Sequence, residues 1–228
     1  MNAEEILRRY AAGERNFQEI ELLNADLSGV DFSGADFRQA RLGKTNFSRS
    51  RFHDVDFSEA LLWGTDLSEA DLTGAKFRDA DLSSAKLTRS RLESAYLVRA
   101  SLSGAILKEA NLQNALLIEA DFRPIADHQT DLTGANLQGA DLSYSKFSHA
   151  ILCDANLAGA KLCRASLSWG MQSLPTDMRN ANLREADLSY ADLRGVCLQN
   201  ADLTRADLTG AILENANLEG AILPSREG

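Results

Sequence analysis

Large apolar residues recur every five positions along most of this chain, and that spacing constrains the fold more than any other feature. The series runs from Leu22 and Leu27 in steps of five to Phe122, and the position two before each of these centres is usually Ala. On an α-helix a step of five turns the side chain by about 140°, so the centres would scatter around the cylinder. On a continuous strand an odd step would alternate faces. The period therefore excludes both a long helix and a flat strand.

The period is satisfied if the Ala and the centre point inward from one short extended segment while the other residues turn a corner. Each unit is then one side of a polygon. A narrow, close-packed interior explains the Ala, since it leaves room for one large and one small side chain per side. The residue between them is most often Asp or Asn. We interpret this as a turn preference rather than as acid/base or metal chemistry.

The tandem A-(D/N)-L-x-x units resemble the pentapeptide-repeat family, and the resemblance covers nearly everything from Ile20 to Leu223. It implies an all-β solenoid, specifically a right-handed quadrilateral β-helix with four units and about twenty residues per coil. Stacking about ten such coils at about 4.8 Å would give a rod roughly 45 to 50 Å long.

Twenty residues per coil predicts which side chains stack. Phe37, Phe57 and Phe77 should form one interior ladder, and Phe32 should lie over Phe52. On the outside, four residues of alternating charge lie twenty apart, which we interpret as a solvated column of ion pairs. These four are Arg49, Glu69, Arg89 and Glu109.

The first residues predict a short amphipathic α-helix that covers the first coil. Asn2, with Glu5 three residues later, resembles a capping box, and Gly13 can end the helix in the left-handed conformation. The face that packs on the coil is predicted to comprise Ile6, Leu7, Tyr10 and Ala11.

The predicted organisation is one repeat domain with two breaks. It comprises a helical cap over 1–19, a β-helix over 20–223 and a tail over 224–228. In the first break, near 123–130, the repeat frame makes Asp127 a centre, and an unpaired carboxylate cannot occupy such a core, so a protruding loop is expected. In the second, near 168–177, Leu167 and Met178 are eleven apart rather than ten, which predicts one bulged residue.

Irregularities in a regular repeat are frequent binding sites, and apolar side chains in a polar outer layer mark contact surfaces. An alternative is that the breaks are tolerated insertions whose apolar residues fold back onto the coil. Trp63 follows its centre directly and should point outward or into a corner. The candidate partner-binding residues are Pro124, Ile125, Asp127, His128, Trp169, Met171, Leu174 and Trp63.

Composition narrows the possible partners. A net charge of -9 argues against a nucleic-acid or anionic-membrane partner and favours a protein. The N-terminus lacks a signal peptide and no apolar run could span a bilayer, so we expect a cytoplasmic protein. The chain has three His and three Cys without catalytic or metal-ligand spacing, so we expect no enzyme activity, metal, cofactor or disulfide.

Four segments resemble one group within the family, the members that regulate heterocyst differentiation in cyanobacteria. These segments are NAEEILRRYAAGERNFQ, ARLGKTNF, ADFRP followed by HQTDL, and AKLCRAS. The resemblance implies a monomeric rod that binds a HetR-type transcription regulator and protects it from PatS-type inhibitory peptides. Two alternatives stay open, a DNA mimic that acts on DNA gyrase and a structural scaffold. Basic residues such as Arg49, Lys76 and Arg89 interrupt the acidic stripe that a mimic requires.

Overall fold

The chain folds as one short helix followed by a four-sided solenoid. The computed structural model describes residues 1–126, 128–168 and 174–225. Helix α1 spans Ala3–Ala11. Each side of the solenoid contributes one residue to a parallel bridge, and the first, Asn16, pairs with Asp36 twenty residues later. Sides of five residues that pair at a distance of twenty give four sides per coil. The coil thus begins four residues before the predicted boundary at residue 20.

The bridges define four faces of ten coils each, which we number in chain order. Face 1 runs from Asn16 to Asp207, face 2 from Glu21 to Ile212, face 3 from Asp26 to Asn217 and face 4 from Asp31 to Ile222. Faces 1 and 3 are opposite each other, as are faces 2 and 4. The right-handed winding that the resemblance implies stays a prediction.

Backbone hydrogen bonds between coils hold the corners as well as the sides. Asp26 Oδ1 accepts the Ser28 N–H at 3.1 Å, an Asx turn that recurs at the Asp and Asn positions of the repeat. Two residues after each centre the backbone is left-handed, even at Arg49, where φ is 59°. The Arg49 N–H donates to the Ser68 carbonyl of the next coil at 2.9 Å. This pairing stabilises a conformation that otherwise favours glycine.

The interior is a buried stack of centres and small residues. The predicted phenylalanine ladder is confirmed, with ring centroids 5.3 Å apart both between Phe37 and Phe57 and between Phe57 and Phe77. Phe32 lies over Phe52 at 6.1 Å, also as predicted. Outside, the predicted charge column forms two pairs, Arg49–Glu69 at 3.3 Å and Arg89–Glu109 at 2.7 Å. All four of those side chains are more than half exposed, so each pair contributes little to stability.

Helix α1 covers the first coil, as predicted, but with a different face. Asn2 caps the helix by accepting the Glu5 N–H at 2.8 Å. The Tyr10 ring packs edge-on against Phe32, and its hydroxyl donates to the Ser33 carbonyl at 2.9 Å. Leu7 and Ala11 were expected on the packed face and are exposed instead. The packed residues are Ala3, Ile6 and Tyr10, whose spacing of three and four follows the helical repeat more closely.

Both breaks insert more residues than the spacing alone indicated. Asp121 lies on face 2, and the next side begins at Asp131 on face 3, so five extra residues lie between them. Asp127 itself lies outside the described residues. Ser166 and Asp177 are likewise on faces 2 and 3, and eleven positions in place of five leave six extra residues. The prediction of one bulged residue is wrong because it assumed a further side between Leu167 and Met178.

Replacing a small interior residue by a large one should destabilise the solenoid. Ala70 is fully buried, and Ala70→Leu would force the neighbouring side chains apart, with an expected cost of about 1 to 3 kcal/mol or more. Chemical denaturation followed by circular dichroism measures this cost. The matched control, Lys86→Leu, adds the same side chain at an exposed position and should change the free energy of unfolding by less than about 0.5 kcal/mol. Equal losses would contradict a close-packed interior.

A candidate protein-binding surface at one corner

Both breaks lie at the same corner of the solenoid, the one between faces 2 and 3. The first follows Asp121 on coil 6, and the second follows Ser166 on coil 8. The uninterrupted corner of coil 7 lies between them, so the two insertions are about 10 Å apart along the rod. We call this edge, which runs along the rod between faces 2 and 3, the loop corner. Its described residues on coils 6 to 8 are 123–126, 128–130, 148–150, 168 and 174–176.

Trp63 lies on the loop corner as well, on coil 3. Its side chain is 38% exposed, and its ring covers Gly43 on the preceding coil. A Cβ at Gly43 would overlap that ring, so any larger residue there would displace the Trp63 side chain. The Lys44 ammonium lies 5.3 Å from the ring centroid, within cation–π distance.

The corner therefore brings together the predicted binding residues that the structure describes. They come from three different coils. These are Trp63, Pro124, Ile125, His128 and Leu174. The other three, Asp127, Trp169 and Met171, lie outside the described residues.

The first insertion carries a tight hairpin that packs on the coil before it. The Ile125 N–H donates to the His128 carbonyl at 3.0 Å, and the His128 N–H donates to the Ile125 carbonyl at 2.9 Å. A Cβ at Gly104 would lie 3.3 Å from the His128 carbonyl oxygen, so the hairpin sits close against that glycine. Ile125 remains 39% exposed at the surface. The hairpin thus presents an apolar side chain on a backbone held at both ends.

Buried threonines fasten the ends of both insertions to the solenoid. Thr130 Oγ1 accepts the Gly104 N–H at 2.8 Å, and Thr176 Oγ1 accepts the His149 N–H at 3.0 Å. The Thr176 hydroxyl lies 2.6 Å from the Leu167 carbonyl, to which it donates. Each threonine occupies the inward position usually held by Ala, and its hydroxyl forms hydrogen bonds with backbone groups of the corner.

His149 connects the two insertions. Its ring Nδ1 hydrogen-bonds the Leu174 carbonyl, and because a carbonyl only accepts, Nδ1 carries the proton. The Gln129 side-chain amide donates to the His149 carbonyl at 2.7 Å. His149 is only 8% exposed. The end of the first insertion, the corner of coil 7 and the end of the second thus form one hydrogen-bonded unit.

A shallow cleft of about 260 Å³ opens beside this unit, towards face 3. It is lined by Gln129, Ile151, Leu174, Pro175, Asp177, Arg179, Cys197 and Gln199. Within it Arg179 binds the Asp177 carboxylate through two nitrogens, at 2.9 and 2.7 Å, so these charges largely compensate each other. The cleft has the size and mixed polarity to accept one or two side chains of a protein partner.

The thiol of Cys153 lies beside Asp177 at the edge of the cleft and stays protonated at neutral pH. Burial raises the pKa of Cys153 to about 11, and the hydrogen bond and charge of Asp177 act in the same direction. A thiol with that pKa is a poor nucleophile near pH 7. Among residues 1–126, 128–168 and 174–225 there is no group of three or more His, Cys, Asp or Glu that could hold a metal ion. None of the helices in those ranges is long and apolar enough to cross a membrane.

Models of pentapeptide repeats match most of the chain. One model matches residues 17–61, and a second matches 50–89, 85–123, 130–168, 176–200 and 186–224. The chain is a pentapeptide-repeat protein. The matches stop at residue 123 and resume at 130, and they stop at 168 and resume at 176. Those gaps coincide with the two insertions of the loop corner.

The pentapeptide-repeat protein is similar over its whole length to HetL of the cyanobacterium Nostoc sp. strain PCC 7120. HetL is described as involved in the regulation of heterocyst differentiation. The two sequences are 53% identical, and the match covers 99% of this chain and 98% of HetL with a TM-score of 0.87. A match that covers both chains from end to end includes the cap and both insertions.

Two other solved structures match the chain with lower scores. A pentapeptide repeat protein of the Arabidopsis thaliana thylakoid lumen is 32% identical, over 44% of this chain and 71% of its own, with a TM-score of 0.42. The fluoroquinolone resistance protein QnrB1 is 19% identical, over 92% of both chains, with a TM-score of 0.38. No curated protein sequence matches the chain. The DNA-mimic and scaffold alternatives stay predictions.

The Thr176 hydroxyl should matter more than other buried threonine hydroxyls. Thr176→Val removes the acceptor of the buried His149 N–H, with an expected loss of about 1 to 3 kcal/mol. Thr65→Val is the matched control, since the Thr65 hydroxyl donates to the Leu62 carbonyl of its own corner at 2.7 Å. The free energy of unfolding, measured in urea, should fall further for Thr176→Val. A smaller loss than for Thr65→Val would contradict the anchoring role.

Proposed function

We propose that this pentapeptide-repeat protein is a non-enzymatic regulator of heterocyst differentiation that binds a HetR-type transcription regulator through the loop corner. The observation that carries the proposal is the placement of two separate insertions, plus Trp63, on one corner of an otherwise regular rod. The full-length similarity to HetL, at 53% identity, supports the biological role. That similarity also motivates the choice of a HetR-type partner.

The corner has the physical properties of a protein-binding surface. Trp63, Ile125 and Leu174 are exposed apolar side chains, with Leu174 56% exposed, in a layer that is mostly polar. Aromatic and aliphatic anchors of this kind account for much of the affinity of protein interfaces. The hydrogen bonds of Thr130, Thr176 and His149 hold the backbone beside them. A surface that is ordered before binding loses less entropy in the complex.

In the proposed mechanism, the bound pentapeptide-repeat protein covers or stabilises the surface at which PatS-type peptides inhibit the regulator. Protection then requires only occupancy, with no covalent step, metal or cofactor. The net charge of -9 favours a basic surface on the partner over nucleic acid or a membrane. The proposed place of action is the cytoplasm, where a transcription regulator is synthesised and binds DNA.

The direct test is calorimetric titration of the full-length chain with the HetR-type regulator of the same genome. We expect saturable binding at one site per regulator protomer. Addition of a PatS-type peptide should weaken that binding, and the chain should in turn lower the apparent affinity of the peptide, because linkage is reciprocal. Absence of binding at any accessible concentration would refute the proposed partner.

The loop corner itself is tested by a matched pair of substitutions. Ile125→Asp places a charge at the hairpin and should weaken binding at least about tenfold, as is usual for a central apolar contact. Ile222→Asp changes the same residue type at the end of face 4 and should leave the affinity unchanged. If the two variants bind equally well, the regulator contacts another surface of the rod. The proposal that a HetR-type regulator is the partner would be unaffected by that result.

A further inference from the structure

Face 1, together with its corner towards face 2, carries an apolar patch at the middle of the rod, away from the loop corner. Tyr96 and Val98 lie on coil 5, and Leu116 and Ile118 lie directly after them on coil 6. Tyr96 is 47% exposed, and the other three are half-buried. We call these four residues the face 1 patch. The loop corner joins faces 2 and 3, so neither insertion obstructs face 1.

The charges on either side of the patch follow an ordered sequence. On the column of bridge residues, Asp56 and Lys76 precede the patch on coils 3 and 4, and Asp141 and Lys161 follow it on coils 7 and 8. From the patch towards coil 1 the charges are Lys76 and then Asp56, positive before negative. Towards coil 10 they are Asp141 and then Lys161, negative before positive. When one column is turned end over end against another, each of these charges meets a charge of opposite sign.

We propose that face 1 binds face 1 of a second copy of this chain, with the two rods antiparallel. The two-fold axis lies in the interface, between coils 5 and 6. Coil 5 of one copy then meets coil 6 of the other, and the two face 1 patches cover each other. Lys76 meets Asp141 of the second copy, and Asp56 meets Lys161 of the second copy. With parallel rods each charge would face its own equivalent, which disfavours that arrangement.

The neighbouring column, at the corner between faces 1 and 2, contributes further pairs of opposite charge. In the antiparallel arrangement Arg99 on coil 5 faces Glu119 of the second copy, and Glu59 on coil 3 faces Arg164 of the second copy. Arg99 also binds Asp79 of its own chain at 2.6 and 2.7 Å, so the cross-interface contact extends an existing pair. At coils 4 and 7 this column places Asp79 against Tyr144 of the second copy, so its charge pairs are confined to coils 3, 5, 6 and 8.

Beyond those coils the complementarity ends. At coils 2 and 9 Asp36 would face Asp187 of the second copy. Arg38 binds Asp36 at 2.6 Å and offsets its charge. The dimer should therefore depend on the central six coils rather than on the ends of the rod.

The regular coil spacing makes this register possible. Adjacent coils of both copies are about 4.8 Å apart, so contacts aligned at the patch stay aligned several coils away. The bridges from Leu116 to Asp141 and from Asp141 to Lys161 show that face 1 stays continuous past the first insertion. Such an interface uses the same surface on both copies, so assembly stops at two. This differs from the monomer that the family resemblance implies.

Sedimentation equilibrium of the full-length chain, from about 1 µM to about 1 mM, tests the dimer over the range of weak association. We expect the mass to rise from that of one chain to that of two. Val98→Glu should lower association at least tenfold, because it places a carboxylate in the apolar centre. Thr88→Glu, at the same repeat position on the opposite face, is the control and should have no effect. Glu93 occupies this repeat position naturally, so neither variant should unfold the protein.

Charge exchange identifies the register. Lys76→Glu alone and Asp141→Lys alone should each weaken association, whereas the double variant should restore it, because each reversed charge again meets its opposite. Lys residues already occupy the same repeat position at 76 and 161, so a lysine fits there. A chain that stays at the mass of one copy up to 1 mM, or a double variant as weak as the single ones, would overturn the proposal.

This inference is independent of the proposed function. The loop corner stays exposed in the antiparallel dimer, so each copy can still bind a regulator. Calorimetry with Val98→Glu should therefore show unchanged regulator affinity. A loss of regulator affinity in that variant, with folding intact by circular dichroism, would place the regulator on face 1 and contradict the loop-corner proposal, whereas the dimer is judged by the sedimentation result alone.

Discussion

Hydrogen bonding between coils at a fixed offset is the constraint on which the rest of the molecule depends. The Leu62 N–H donates to the Asp81 carbonyl at 2.7 Å, the Asp81 N–H donates to the Ala60 carbonyl at 3.0 Å, and equivalent bonds recur along all four faces. Because the offset is the same on each face, like positions stack on like positions. One registration therefore aligns the phenylalanines inside and the charges outside. It also holds Arg49 and similar residues in a left-handed conformation that they would otherwise avoid.

The same constraint determines where an insertion can be accommodated. Extra residues within a side would shift every later bridge, whereas extra residues at a corner leave the sides in register. Both insertions accordingly follow a complete side of face 2 and precede a complete side of face 3. The pairing offset then lengthens from twenty to 25 between Ile106 and Asp131, and to 26 between Ile151 and Asp177. The solenoid absorbs each insertion without any change in its core.

Much of this fold follows from the sequence, because a period of five leaves few solutions. The period itself predicted a polygonal coil, and the family resemblance implied its four sides and the twenty-residue turn. The Phe37, Phe57 and Phe77 ladder followed from that turn, whereas the helical cap was predicted from the spacing of apolar residues near the N-terminus. The common corner of the insertions was missed because the number of sides was miscounted at each break. Counting Asp131 directly after Asp121, and Asp177 directly after Ser166, would have placed both at one corner. The connection through His149 depends on side-chain geometry, which no sequence pattern specified.

The single uninterrupted corner between the two insertions fixes their spacing along the rod. The distance between the insertions is set by the number of coils that separate them, not by the loops themselves. Gain of one twenty-residue coil would lengthen that distance by about 4.8 Å and leave Thr130 and Thr176 in place, whereas the direct connection through His149 is limited to a single intervening coil. A repeat protein of this kind can thus adjust to the spacing of two features on a partner in discrete steps, while the loops keep their chemistry.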